Sequence, residues 1–246
     1  MEMRIVAIVQ ARMGSTRLPG KVLKEVNGKP LLAYQIERMK KATLIDQLVI
    51  ATTPYGNDKI VNLCNELDVD YFIGSESDVL ARYYEAATKY NADIVVRITS
   101  DCPLIDPIII DNIIQMYIDS SEYDYVSNTQ LRTFPRGMDT EVFSMKILTE
   151  AFMNARLDYE REHVTPYFYL NPSKFNIGQY ALEKEGFSHL RLTVDTPEDL
   201  ELITILIKDL YARNPDFDLN MVLEKLTKEP ALIKINEHIE QKKLGE

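Results

Sequence analysis

An uninterrupted apolar run, Ile5-Val6-Ala7-Ile8-Val9, opens directly into Gln10-Ala-Arg-Met-Gly-Ser-Thr-Arg-Leu-Pro-Gly-Lys21. The run reads as a buried strand, and the segment after it as a basic loop containing glycine. Arg12, Arg17 and Lys21 bring three cations together within ten residues. Gly14 and Gly20 let the backbone come close to phosphate oxygens with no side chain in the way. The whole chain carries a net charge of −10, so its overall field cannot hold a polyanion such as a nucleoside triphosphate. A local cluster of this kind would have to do so. The loop is not a Walker A motif. Five residues separate Gly14 from Gly20 where that motif has four, and Val22 follows the lysine where Ser or Thr would reach a magnesium ion. It also lacks the GxGxxG of a dinucleotide fold. On its own, the loop is also compatible with a solvated strand-to-helix turn, though the phosphate-binding reading is favoured.

Further along, short β-like runs alternate with amphipathic stretches. Strands are expected at residues 5–9, 47–52, 70–73 and 93–98, and helices at about 31–41, 57–67, 79–90 and 107–119. Pro30 and Pro107 stand where a helix can begin, since the N–H they lack has no partner there anyway. This alternation predicts βαβ units and a mostly parallel sheet flanked by helices. Ligands of such sheets gather at the carboxyl ends of the strands, where both the 10–21 loop and residues 99–103 fall. Between 123 and 180 the pattern changes. Residues 123–126, 138–143 and 175–181 look like strands and 157–170 like a helix, which suggests an inserted lid or dimerisation element. A last strand is expected at 190–194, followed by a helix at 197–211. The turn Asn214-Pro215 leads into a helical tail over about 212–246, in two stretches at 219–227 and 230–242. With 246 residues and 46% apolar content, the chain fits one α/β domain over 1–246.

Composition removes several classes. Cys64 and Cys102 are the only cysteines, so no disulfide framework is suggested and a cytoplasmic location is expected. Cys102 could be a nucleophile beside Asp101, but no histidine is close in sequence and a small buried residue is the simpler reading. The first residues show no secretory pattern, and no apolar run approaches the ~20 residues of a membrane span. The acidic balance argues against a nucleic-acid partner.

Two carboxylates complete a candidate site. Arg97-Ile-Thr-Ser-Asp-Cys-Pro-Leu-Ile-Asp106 sets Asp101 just beyond a strand, and Leu192-Thr-Val-Asp-Thr-Pro-Glu-Asp199 sets Asp195 in the same relation to the last expected strand. After Asp195, Thr196 can cap a helix with Pro197 in its first turn. Two hard oxygen ligands on strand ends suit Mg²⁺, with waters and substrate phosphates filling the other positions. Asp195 alone could equally be only a helix cap.

These motifs resemble the cytidylyltransferase family, which includes the CMP-sugar synthetases for 3-deoxy-manno-octulosonate and acylneuraminates. The 10–21 loop, Gly28-Lys29-Pro30, Thr99–Asp106 and Leu192–Glu201 carry the likeness. Arg136-Gly-Met-Asp-Thr-Glu-Val-Phe143, Arg161-Glu-His-Val-Thr-Pro166 and Ile235-Asn236 are similar to the branch of the spore-coat polysaccharide biosynthesis protein SpsF. The resemblance implies a Rossmann-like nucleotidyltransferase fold, a homodimer, and transfer of CMP from CTP to an acidic sugar with release of pyrophosphate. It implies that Arg12 and Lys21 contact the triphosphate and act in catalysis, and that Asp101 and Asp195 hold Mg²⁺. Ala11, Gly14, Ser15, Arg17, Arg97 and Ser100 complete the expected nucleotide contacts. The octulosonate enzymes often have Gln-Gly-Asp where this chain has Thr99-Ser100-Asp101, so a glutamine contact is missing.

The acceptor pocket is less legible. Arg136 and His163 could supply the cation that an acidic sugar needs, and Asp139 and Glu141 could bind its hydroxyls. His163 could equally pack within a helix, and Arg161 between Glu160 and Glu162 reads as an ion-paired residue. Two rival classes fit less well. A GT-A glycosyltransferase normally carries an Asp-x-Asp, whereas here Asp101 and Asp106 stand five residues apart. A non-catalytic nucleotide-binding module would not need the full set of Arg12, Lys21, Asp101 and Asp195.

Overall fold

In the computed structural model, which describes residues 3–182 and 186–242, the apolar run becomes the inner strand β1 (Ile5–Gln10). A small hairpin, β2 (Glu25–Val26) and β3 (Lys29–Pro30), follows the basic loop. The chain then alternates through α1 (Leu31–Met39), β4 (Gln47–Thr52), α2 (Asp58–Glu66), β5 (Asp70–Ile73), α3 (Val79–Lys89), β6 (Ile94–Thr99) and α4 (Pro107–Asp119). Next come β7 (Tyr125–Ser127), β8 (Glu141–Ser144), α5 (Met145–Asn154), α6 (Asp158–His163), α7 (Pro166–Tyr169) and β9 (Ile177–Gln179). Helices α8 (Pro197–Arg213) and α9 (Leu219–Lys228) and a 3₁₀ turn at Pro230–Ile235 follow.

The seven-stranded sheet has the order β5-β4-β1-β6-β8-β7-β9. β1 pairs in parallel with β4 and β6, and β4 with β5, while β8 runs antiparallel to β6 and β7. Val6, Ile8, Val49, Ala51 and Val95 pack on one face with residues of α3, α5 and α7. Ile5, Ala7, Val9, Val96 and Ile98 pack on the other with residues of α1, α2, α4, α8 and α9. Helices on both faces are why β1 is apolar at five successive positions rather than alternating. From β1 the chain builds outward to β4 and β5, then crosses back to β6 on the other side. The strand order reverses at β1/β6, and a crevice opens outside the carboxyl ends at such a point. Both expected loops emerge there.

Five expectations change. Residues 190–194 form no strand: Arg191 makes a single bridge to Arg136. Their backbone is held by loops instead, with Leu192 N–H donating to Arg136 O (2.7 Å) and Val194 N–H to Asp101 O (2.8 Å). The alternation of Leu190, Leu192 and Val194 reflects burial in the core, and no neighbouring strand. The helix expected at 157–170 breaks into α6 and α7 at Val164, which has φ +71°. Helix α5 lies where none was expected, because Ser144 ends β8 and caps α5 with no loop between. In the tail, only Pro230–Ile235 of the expected stretch 230–242 is helical, as a 3₁₀ turn. Residues 243–246 of that tail lie outside the described residues. The strands of the 123–180 segment are shorter than expected and extend the main sheet.

Gly137 is where the loop before β8 meets the segment after Leu190. It has φ +100°, and a Cβ there would lie 2.4 Å from Leu192 O. No rotamer change can relieve this clash, because the opposing atoms belong to the Leu192–Thr193 backbone. Gly137→Ala should cost at least about 2 kcal/mol of stability in urea unfolding, the sum of a left-handed penalty and displaced backbone.

Candidate active site

At the carboxyl ends of β1 and β6 lies a cleft of about 890 Å³. All the sequence-predicted site residues line it except Ala11 and Gly14. Ala11 is buried, and its N–H continues the β1 ladder by donating to Ala51 O (3.0 Å). Of the two loop glycines, Gly20 is the one that needs to be glycine: its φ is +66° and it caps the 3₁₀ turn that carries Lys21. A Cβ on Gly14 would meet Glu76 at an ordinary 3.5 Å. Among the described residues the N–H groups of Gly14, Thr16 and Arg17 have no internal partner. Loop amides left without internal partners favour an anion.

Lys21 is the centre. Its Nζ donates to Asp195 Oδ1 (2.7 Å) and Asp101 Oδ2 (3.2 Å), joining loops 80 and 174 residues away. Burial opposes the charge on this ammonium, but the two carboxylates outweigh it and hold its pKa above the ordinary lysine value. Asp101 shows the converse: burial favours its neutral form, while Lys21 and the Thr99 hydroxyl (2.6 Å to Oδ1) keep its pKa below the usual carboxylate value. Asp195 turns its second oxygen, Oδ2, to Arg17 (3.0 Å) and, more distantly, Arg191 (3.5 Å). It is not the cap of α8. Thr196 takes that role, accepting from Asp199 N–H (3.3 Å), while the Asp199 carboxylate accepts from the N–H groups of Asp195 (3.0 Å) and Thr196 (3.2 Å).

The carboxylates of Asp101 and Asp195 thus converge on one cationic point, and their hard oxygens fit a divalent ion. No group of three His, Cys, Asp or Glu suited to a metal occurs among the described residues. Such an ion would have to take its remaining ligands from phosphate and water, as magnesium does with nucleotides. Asp106 is not a second ligand. It is buried, caps α4 through Ile108 N–H (2.9 Å) and accepts from Leu219 N–H (2.7 Å), which removes the carboxylate pair a glycosyltransferase site would need.

Beyond Asp101, the sheet face carries a buried ion pair between Arg97 and Glu141. Glu141 also accepts from Tyr125 Oη and Thr165 Oγ1, both at 2.6 Å. Its oxygens are therefore occupied, and it orients Arg97 rather than offering itself to a sugar. Asp139 is gripped by both Nη atoms of Arg132 (2.7 and 2.9 Å). Arg136 has no carboxylate within 4.0 Å among the described residues, and burial, with Arg132 nearby, lowers its pKa from the arginine value. His163 is pushed below the ordinary imidazole pKa by burial, so it serves as a neutral donor or acceptor and not as a cation. Arg161 is structural: it pairs with Asp78 across α3 and donates to Phe152 O (2.9 Å). Cys102 is buried, and burial beside Asp101 raises its pKa well above the thiol value, so no thiolate is available.

Arg82 went unnoticed in the sequence. It lies within α3, is 1% exposed, lines the cleft, and leaves Nε without a partner among the described residues. Burial lowers its pKa, as does the nearby Arg12. Its only sequence signal is its place one turn beyond Asp78, the residue that caps α3.

A family model of the cytidylyltransferases matches residues 6–233. The spore coat polysaccharide biosynthesis protein SpsF of Bacillus subtilis is 34% identical, over 92% of this chain and 95% of that protein. The structure of a cytidylyltransferase from Leptospira borgpetersenii serovar Hardjo-bovis is similar, with a TM-score of 0.90 and 35% identity, over 98% of this chain and 100% of that one. CMP:2-keto-3-deoxy-manno-octonic acid synthetase complexed with CTP matches with a TM-score of 0.66 and 20% identity, over 83% of this chain and 98% of that one. At that identity the likeness is one of fold.

The Arg97–Glu141 pair yields a direct test. Removing one partner strands a buried charge, so Glu141→Ala should lose ~3–5 kcal/mol in urea unfolding, while Arg97→Met with Glu141→Leu should recover only the part due to the unpaired guanidinium, because the Tyr125 and Thr165 hydroxyls still lack their acceptor.

Proposed function

The chain belongs to the cytidylyltransferase family, and on that premise we propose that it transfers CMP from CTP to a hydroxyl of an acidic sugar, releasing pyrophosphate. The observation that carries this reading is the meeting of Lys21 with Asp101 and Asp195 inside a cleft that also holds Arg12. The acceptor oxygen attacks the α-phosphorus in line, and the bond from that phosphorus to the β-phosphate oxygen breaks. Such a displacement is catalysed chiefly by positioning and by neutralising charge. Arg12, Arg17, Lys21 and the internally unpartnered amides of the basic loop would bind the triphosphate and the departing pyrophosphate. Arg82 adds charge beside Arg12. Asp101 and Asp195 would hold Mg²⁺; bound there, it would neutralise phosphate oxygens and lower the pKa of the attacking hydroxyl. No protein base is needed in this scheme.

Arg136 supports an anionic acceptor. Arg97, which lines the same cleft, and Arg132, which grips the lining residue Asp139, already have carboxylate partners, so Arg136 is the one placed to meet a sugar carboxylate. Neutral His163 and Thr129 could donate to sugar hydroxyls along the same wall. The relation to SpsF supports a role in surface polysaccharide synthesis, and the family resemblance supports a cytoplasmic homodimer.

The test is a pyrophosphate-release screen of the four ribonucleoside triphosphates against a panel of sugar acids with Mg²⁺. CTP with one of the acids should give turnover. Lys21→Met and Asp101→Asn should each lose about a hundredfold or more in kcat; Lys21→Met, which leaves two largely buried aspartates without their ammonium, should also unfold at lower urea, so turnover is read well below that midpoint. Near-normal turnover in both variants would sink the assignment.

A further inference from the structure

The tail beyond α9 does more than cover the core. After the 3₁₀ turn at Pro230–Ile235, Asn236 turns inward and is 2% exposed. Its Nδ2 donates to Arg191 O (3.1 Å) and to Asp199 Oδ1 (2.8 Å). Gln241, five residues on, accepts from Arg191 Nη1 (2.9 Å) and stands in the wall of the cleft. Arg191 grips Asp199 through Nε (3.2 Å) and Nη2 (3.0 Å), and the same Nη2 lies 3.5 Å from Asp195 Oδ2. Asp199 is wholly buried, and its Oδ2 holds the backbone N–H groups of Asp195 and Thr196. On the side away from the basic loop, the Asp195 N–H is held by Asp199 and its carboxylate is neighboured by Arg191, and both of these residues are bound by the tail.

We propose that the C-terminal strap, residues 236–241, is part of the active site: Asn236 and Gln241 are positioning residues that hold Asp195 through Arg191 and Asp199. This rests on the reading of Asp195 as a residue that binds CTP through its divalent ion. The carboxylate has two oxygens and three cationic neighbours, Lys21, Arg17 and Arg191, so small rotations change which oxygen faces the cleft. A buried Asp199 with all its lone pairs directed gives the preceding residue one backbone position. Partners behind a ligand commonly matter about 10–100-fold for metal affinity or activity. α8 supplies a stable base for this arrangement, and the strap closes it from the solvent side.

The test needs no acceptor. Calorimetry measures CTP affinity with Mg²⁺ and with EDTA for the wild type, Asn236→Ala, Gln241→Ala, Asp195→Asn and the double variant Asn236→Ala/Asp195→Asn. Near-ultraviolet circular dichroism checks that each is folded. In Asn236→Ala the Mg²⁺-dependent gain in affinity should fall about tenfold, with affinity in EDTA changed less than about twofold. In Asp195→Asn the gain should vanish, and adding Asn236→Ala should then cost nothing more, because the two act through one group. A wild-type gain in Asn236→Ala overturns the inference, as does an equal loss with and without Mg²⁺ or a full additional loss in the double variant. Should Asn236→Ala fail to fold, Gln241→Ala decides: its side chain is exposed, a loss of about threefold in the gain is expected, and no loss overturns the inference. A full gain in Asp195→Asn is a different result. It overturns the reading of Asp195 itself, and the strap's role with it.

Discussion

One ammonium group organises this molecule's cleft. Lys21 Nζ reaches two aspartates from distant segments, and each of the three would be costly to bury alone. Buried charges are tolerated when paired and hydrogen-bonded, and here the pairing extends outward. Asp101, Asp195 and Asp199 are matched by Lys21, Arg17 and Arg191. The cluster is close to neutral inside a chain whose net charge is −10. It ties the basic loop after β1, the loop after β6 and the entry to α8 into one unit.

The same atoms that hold these loops together are the ones a triphosphate would use. An ammonium that already sits between carboxylates is fixed in place before any ligand arrives, so little ordering remains to oppose binding. Phosphate oxygens and a divalent ion offer both sides equivalent partners, the phosphates for Lys21 and Arg17 and the ion for the two aspartates. Binding of that kind would exchange one set of charge pairs for another and strand no charge. The buried Arg97–Glu141 pair plays a different part. With Tyr125 and Thr165 saturating the carboxylate, it forms a rigid floor at the other end of the cleft.

The sequence made the centre of the site visible because position alone places it. Arg12, Lys21 and Asp101 follow apolar runs that become β1 and β6, and the carboxyl ends of those strands adjoin in any parallel sheet. Asp195 does meet Lys21 in the cleft, although residues 190–194 form no strand: their alternation records burial beside α8, which says nothing about pairing. What stayed hidden depends on contacts between distant residues. Asp199 looks like any first-turn acid of a helix, and Asn236 like a polar residue in a tail, until Arg191 joins them. Helix α5 was missed because the chain enters it straight from β8, with no loop residues to separate the two patterns. Glu141 and His163 have the right chemistry for sugar contacts, but residue type cannot reveal that one carboxylate is already saturated or that burial keeps an imidazole neutral.

The central claim is that three distant segments grip a single triphosphate at Lys21. A crystal structure with CTP and Mg²⁺ tests it most directly. The account predicts phosphate oxygens against Lys21 and Arg12, with the carboxylates of Asp101 and Asp195 turned to one shared ion. A nucleotide seated elsewhere, with Lys21 still bridging the two aspartates, would contradict it.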